Sequence, residues 1–166
     1  AVGELVVIPR KNQKQHGIFM GYCGDEQLYR HVWRGGVYHT GDTAWMDEDG
    51  YYWYVGRVDD LIKTRGFRVG PFEVENVLME NPAVLECAVT GVPDEQRGQI
   101  IKATVVLAKG YVPTKQLKRE IRNFANHRMA SYKWISVLEF VEEMPKTISG
   151  KIRRVELRER MKTARV

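Results

Sequence analysis

The sequence predicts an α+β fold: a small domain with a sheet of about three strands covered by helices, plus a β-hairpin, preceded by a β-rich segment. Three observations predict it. From residue 70 onward the apolar patterns run helix, strand, strand, helix, strand, loop, helix. Before residue 56 there are only short β-type runs separated by turn residues. The charge balance also changes where the two parts meet. Residues 1–56 hold 5 Lys+Arg and 7 Asp+Glu, a balance of −2, whereas residues 57–166 hold 21 and 14, a balance of +7. The expected organisation is therefore a β-rich part over 1–56, a hinge and hairpin over 57–69, and a small domain over 70–166.

Gly3 to Ile8 reads as a strand stopped by Pro9, and Arg10 to Gln15 as a polar loop. Gly21 to Gly24 is a turn, Val37-Tyr38 a short strand, and Thr40-Gly41-Asp42 the end of a strand at a turn. Ala44 to Met46 and Tyr51 to Val55 flank Asp47-Glu48-Asp49-Gly50, a hairpin with Gly at the left-handed position. Strands of this length bury little apolar surface alone, so the first part is expected to be the end of something larger. Leu61-Ile62 and Phe67-Arg68-Val69 around Thr64-Arg65-Gly66 predict a second hairpin. Gly70-Pro71 puts Pro at a first helical position, Val74, Val77 and Leu78 recur at helical spacing, and Asn81-Pro82 ends the run. Val84 to Val92 and Ile100 to Leu107 are strands. Thr114 caps a helix with Leu117, Ile121 and Phe124 inside and Lys115, Lys118, Arg119 and Arg122 outside. Trp134 to Val141 is a third strand, Pro145 to Lys151 a loop, and Arg153 to Lys162 a short basic helix.

A chain of 166 residues, 43% hydrophobic and 28% charged, suits one domain with a core, or one domain and part of another, and its composition argues against disorder. No apolar run approaches the roughly 20 residues that span a bilayer, and no signal peptide is visible. The chain begins at Ala1 rather than Met, so its native start is expected upstream. Cys23 and Cys87 stand far apart in no metal-ligand spacing, which fits free thiols in a reducing compartment and a cytoplasmic protein. A pI near 9.2 admits nucleic acid, acidic membranes or phosphorylated small molecules as partners.

Three stretches can carry chemistry. The hairpin at 61–69 gathers Lys63, Arg65 and Arg68 near its tip, and a phosphate would relieve their repulsion; a solvated basic turn accounts for the spacing equally well. Asp42 can accept hydrogen bonds from two neighbouring hydroxyls such as a ribose diol, with Arg57 in support, although an Asp capping a turn and a surface ion pair are the plainer readings. Lys151 follows Gly150 on a loop and can bring a point charge to a phosphate or carboxylate; taken alone, it is also a lysine in a basic tail. The loop is not a Walker A motif, because Pro145 stands where a Gly is needed and Ile152 where Ser or Thr is needed. GxGxxG and GxSxG are absent. His16, His31, His39 and His127 form no i,i+4 pair, and no metal site is expected. Arg65-Gly66-Phe67 matches the start of an RNA-recognition sheet motif, but Arg68-Val69-Gly70 break it, so no nucleic-acid partner is expected.

Tyr38-His39-Thr40-Gly41-Asp42, Gly56-Arg57-Val58-Asp59-Asp60, the run from Arg65-Gly66-Phe67-Arg68 through Gly70-Pro71-Phe72-Glu73-Val74-Glu75, and Pro145-Lys146-Thr147-Ile148-Ser149-Gly150-Lys151 together resemble the C-terminal third of adenylate-forming enzymes. The last two are most similar to the acetyl- and medium-chain acyl-CoA synthetase branch. The resemblance covers nearly the whole chain. It implies an AMP-forming acid–thiol ligase that joins a small carboxylic acid to CoA at the expense of ATP. It also implies that the β-rich part is the end of a large N-terminal domain of the same protein, which would be the chief holder of Mg2+. Asp42 would hold the ribose hydroxyls with Arg57 in support, Asp59 would be the hinge, Arg68 would contact ATP phosphate or order the hinge, and Lys151 would orient the carboxylate and stabilise the α-phosphate. After rotation, Arg65, Gly66 and Phe67 would line the pantetheine path, with Arg97 and Trp134 near the CoA nucleotide. His39 replaces the family's usual Arg or Lys. The family's phosphate loop and acyl pocket have no counterpart here, so this chain is expected to be a fragment, inactive alone. The alternatives are an adenylating enzyme that loads a carrier protein, and a stand-alone CoA- or nucleotide-binding module.

Overall fold

A computed structural model describes residues 2–9 and 21–163, with side chains to residue 160. The loop expected over Arg10 to Gln15, and His16, lie outside these residues. The chain divides into two compact units, Ala1–Asp59 and Asp60–Val166.

The first unit is built on one sheet. Its elements are β1 (Val2–Val7), α1 (Glu26–Val32), β2 (Trp33–Arg34), β3 (Val37–Met46) and β4 (Tyr52–Arg57). β3 is central, with β1 antiparallel along one edge and β2 and β4 at the two ends of the other. The expected hairpin at 47–50 is present. Asp47 closes it by accepting from the Tyr51 N–H at 2.8 Å and the Trp53 indole at 2.6 Å, and Trp45 stacks on its cross-strand partner Trp53 at 5.8 Å. Two expectations need correction. The strand does not end at Asp42; it continues to Met46, because β1 absorbs the irregularity around Gly41 as a register shift between Glu4 and Val6. Residues 26–32, read as part of a β-rich stretch, are helical. Asp25 caps them by accepting from the Leu28 N–H at 2.8 Å.

The second unit is α+β, as expected. It holds β5 (Ile62–Thr64), β6 (Phe67–Val69), α2 (Pro71–Met79), β7 (Val84–Asp94), β8 (Gly98–Leu107), α3 (Lys115–Asn126), a 3-10 turn over Ser131–Lys133, β9 (Ile135–Phe140) and α4 (Arg154–Thr163). β7 and β8 form a long antiparallel pair, and β9 adds parallel to β8. The sheet has five strands rather than three, because the hairpin β5–β6 joins it through Thr64 opposite Gly98.

One face of this sheet carries α2 and α3 over a core that includes Ile62, Leu78, Val89, Ile101, Ile121 and Ile135. Burying each such side chain contributes about 1.5–3 kcal/mol. On α3 the inner stripe is Leu117, Ile121 and Ala125, at a strict four-residue spacing. Phe124 sits on the flank, its ring 3.6 Å beneath the Arg128 guanidinium. The opposite face of β7 packs α4 through Ala88, Met144 and Leu157. Alternation along β7 makes this unavoidable, since Cys87 and Val89 point to one face and Ala88 to the other.

Both cysteines are free, Cys23 exposed and Cys87 buried. Burial, reinforced by the Glu75 carboxylate, pushes the Cys87 thiol up to about 12. A raised thiol pKa leaves almost no thiolate at pH 8. Iodoacetamide at pH 8 is therefore expected to label Cys23 first, and Cys87 only after denaturant is added. Equal labelling of both native thiols would contradict this burial.

Candidate functional site

In the first unit, Asp42 and Arg57 are cross-strand partners on β3 and β4. The Arg57 guanidinium donates to the Thr40 carbonyl at 2.8 Å and to Asp59 at 3.2 Å, and stands 3.6 Å from Asp42. Burial works against its charge, but the carboxylates of Asp59 and Asp42 outweigh it and hold Arg57 above its ordinary range. Three residues singled out in the sequence, Asp42, Arg57 and Asp59, are thus brought together, and the Asp42 side chain is 37% exposed.

Gly41 makes this approach possible. Its φ is +76°, and a Cβ there would stand 2.6 Å from the Arg57 guanidinium. Gly41→Ala is expected to destabilise the first unit by about 1–2 kcal/mol, through the left-handed backbone and the lost Arg57 bond. An unchanged denaturation midpoint would count against that role. His39 lies beside this turn with Nδ1 2.9 Å from Glu4, which also accepts from Gly41 N–H and Arg34. The His39 hydrogen bond, together with the Gly41 N–H and Arg34, holds the Glu4 carboxyl below its ordinary range against the effect of burial.

In the second unit the hairpin β5–β6 turns through Arg65 and Gly66, at φ +49° and +83°. Positive φ at both central positions marks a type I′ turn. Arg65 is the only non-glycine with positive φ among the described residues, and such backbone costs of order 1 kcal/mol or more. The Arg65 N–H donates to the Arg97 carbonyl at 3.0 Å, which locks the hairpin tip to the β7–β8 turn. Lys63 and Arg68 face each other across the strands, two like charges side by side.

Arg65, Arg97 and Trp134 line one groove of about 500 Å³. Sequence reasoning missed Arg122, Tyr132 and Asn126 on its walls. Tyr132 stacks on Phe67 at 4.4 Å. Asn126 holds the start of β9 by donating to the Ile135 carbonyl at 3.3 Å and accepting its N–H at 2.8 Å. Arg65, Arg97 and Arg122 have no carboxylate partner among the described residues. Three unpaired guanidiniums beside two aromatic rings can take a polyanion with a planar group.

Lys151 lies on a separate loop. Thr147 accepts from the Gly150 N–H at 2.9 Å, and Gly150 has φ +82°. The Lys151 N–H and C=O both bond to Thr147, at 3.1 and 2.8 Å, so its backbone is fixed while its side chain is exposed. A bridge between Lys146 and Ile152 closes the loop, and Lys146 anchors it to Glu86 at 2.6 Å. Glu86 and Ala88 alternate on the α4 side of β7, whereas the groove is lined by Ile101 and Ile135 from the α3 side. Lys151 and the groove therefore occupy opposite faces of one sheet.

A small α+β unit with a glycine-turned lysine loop on one face and an arginine groove on the other, joined to a β-sheet unit with a Thr-Gly-Asp turn, is an architecture with solved counterparts. The anthranilate CoA ligase AuaEII in complex with anthranoyl-AMP superposes with a TM-score of 0.83 at 38% identity, over 96% of this chain and 30% of that one. Among curated relatives, 4-hydroxybutyrate–CoA ligase 1 of Metallosphaera sedula is 54% identical over 96% of this chain and 28% of its own length. The mitochondrial acyl-coenzyme A synthetase ACSM3 of Mus musculus is 44% identical over 94% of this chain and 27% of its own. Residues 73–151 match the AMP-binding enzyme C-terminal domain. The chain belongs to the adenylate-forming enzymes and corresponds to their C-terminal part, spanning a little over a quarter of the relatives it matches.

Proposed function

We propose that this chain is the C-terminal part of an AMP-forming acyl-CoA synthetase and that its second unit serves both half-reactions with different faces. A carboxylate oxygen attacks the α-phosphorus of ATP, the bond to pyrophosphate breaks, and acyl-AMP forms. The thiol sulfur of CoA then attacks the acyl carbon, loses its proton, and AMP leaves. In the first step two anions meet, and Lys151 stabilises the charge that develops. Asp42 holds the ribose hydroxyls and Arg57 holds Asp42, while Arg68 approaches the phosphates. In the second step the unit turns about Asp59. Arg65, Gly66 and Phe67 then line the pantetheine path, and Arg97 and Trp134 receive the CoA nucleotide. Among the described residues no group of three His, Cys, Asp or Glu could hold a metal by itself, and no step here runs through Mg2+.

The observation that carries this reading is the groove of unpaired arginines at a strained hairpin tip, on the sheet face opposite Lys151. A carrier-protein loader presents its thiol on a protein-borne arm and has no use for a site that takes the nucleotide of free CoA. Calorimetric titration of CoA into this chain is expected to give micromolar binding that is lost in Arg97→Ala. Absence of binding, with the chain folded, would favour carrier-protein loading.

A further inference from the structure

The charges between α2, α4 and the start of the second unit are not used by the chemistry above. Glu75 on α2 is only 8% exposed. It accepts the Val89 N–H at 2.8 Å, a donor that the edge strand β7 leaves outside the sheet. It also takes Arg154 at 2.7 and 2.9 Å. Arg154 in turn reaches Asp60 at 3.6 Å, and Arg158 holds the other Asp60 oxygen at 2.7 Å. Both carboxylates of the network are close to buried, so each needs its arginine.

The network joins two places that matter. Asp60 is the first residue of the second unit, directly after Asp59. Arg154 is three residues beyond Lys151, and the intervening chain is pinned by the Arg153 N–H to the Pro145 carbonyl at 2.8 Å, at the root of the lysine loop. Arg154 also opens α4, where a cation opposes the helix dipole. Helix electrostatics therefore do not account for an arginine there; the two carboxylates do.

We propose that Glu75, Arg154, Asp60 and Arg158 are positioning residues that couple the turn at Asp59 to the lysine loop. A change of backbone direction at Asp59 is transmitted through Asp60 to Arg154 and carries Lys151 as part of one rigid body. The network touches neither substrate, and its loss acts on the step that uses Lys151. This rests on the reading of Asp59 and Lys151 given above.

The test uses the complete enzyme with Arg154→Lys, which keeps the charge but loses the fork, and Asp60→Asn, which leaves the Glu75–Arg154 pair in place. Acyl-dependent pyrophosphate exchange and transfer from supplied acyl-adenylate to CoA are both measured, beside Lys151→Ala. Exchange is expected to fall about 10-fold or more in both network variants, with transfer within about 3-fold. A parallel fall of both half-reactions, as simple misfolding would give, overturns the proposal, and so does unchanged exchange in the two variants. If Lys151→Ala itself leaves exchange intact, the reading of the lysine fails and the proposal falls with it. If Lys151→Ala loses exchange while the network variants keep it, the network alone is wrong.

Discussion

Replacing Lys151 by Ala in the complete enzyme is expected to abolish pyrophosphate exchange while leaving transfer from a supplied acyl-adenylate to CoA close to unchanged. Removing a preorganised charge from a developing oxyanion costs about 100- to 1,000-fold, and here the lost group would also orient the attacking carboxylate, so the larger figure is expected. The structure favours a clean outcome. The Lys151 backbone is held by Thr147, and its side chain has no ion-pair partner among the described residues. Truncation therefore removes a charge without unpicking a fold. Loss of both half-reactions would contradict separate roles for the two faces.

The second large effect is expected at Gly66. Replacing it by Leu should cut thioester transfer about 100-fold and spare pyrophosphate exchange. A Cβ at Gly66 would meet nothing within 4 Å, so the first atom of the added side chain has open space among the described residues. Its φ of +83° does impose strain of about 1 kcal/mol, which is less than tenfold in any rate. A loss well beyond tenfold in transfer, with exchange spared, is what occupation of the proposed thiol path by the leucine predicts. A transfer rate within tenfold of the parent would remove Gly66 from that path.

Much of this was legible in the sequence, and what was not has physical causes. The α+β order, the hairpins at 47–50 and 61–69 and the Pro-led helix α2 follow from turn residues and apolar period, which act locally. Helix α1 is hard to read because it has only seven residues, none of them buried; its signals are Asp25 and Glu26 at the start and Arg30 and His31 in the last turn. Phe124 stands at helical spacing from Leu117 and Ile121 and reads as an inner residue, but the stripe at 117, 121 and 125 places Ala125 there instead. Arg122 was read correctly as lying outside the helix core, yet its place on the groove depends on β9 and the 3-10 turn. The Glu75–Arg154 and Asp60–Arg158 pairs lie 79 and 98 residues apart in sequence. No local pattern reports such pairings.

The central claim is that one small unit serves two reactions through two faces, and a single assay tests it most directly. Complete Lys151→Ala and Gly66→Leu enzymes are given the same acyl-adenylate and CoA, and acyl-CoA formation is followed with time. Lys151→Ala is expected to transfer at nearly the parent rate, and Gly66→Leu to fail. If the two variants fail together, or if both transfer normally, the division of labour between the faces is contradicted.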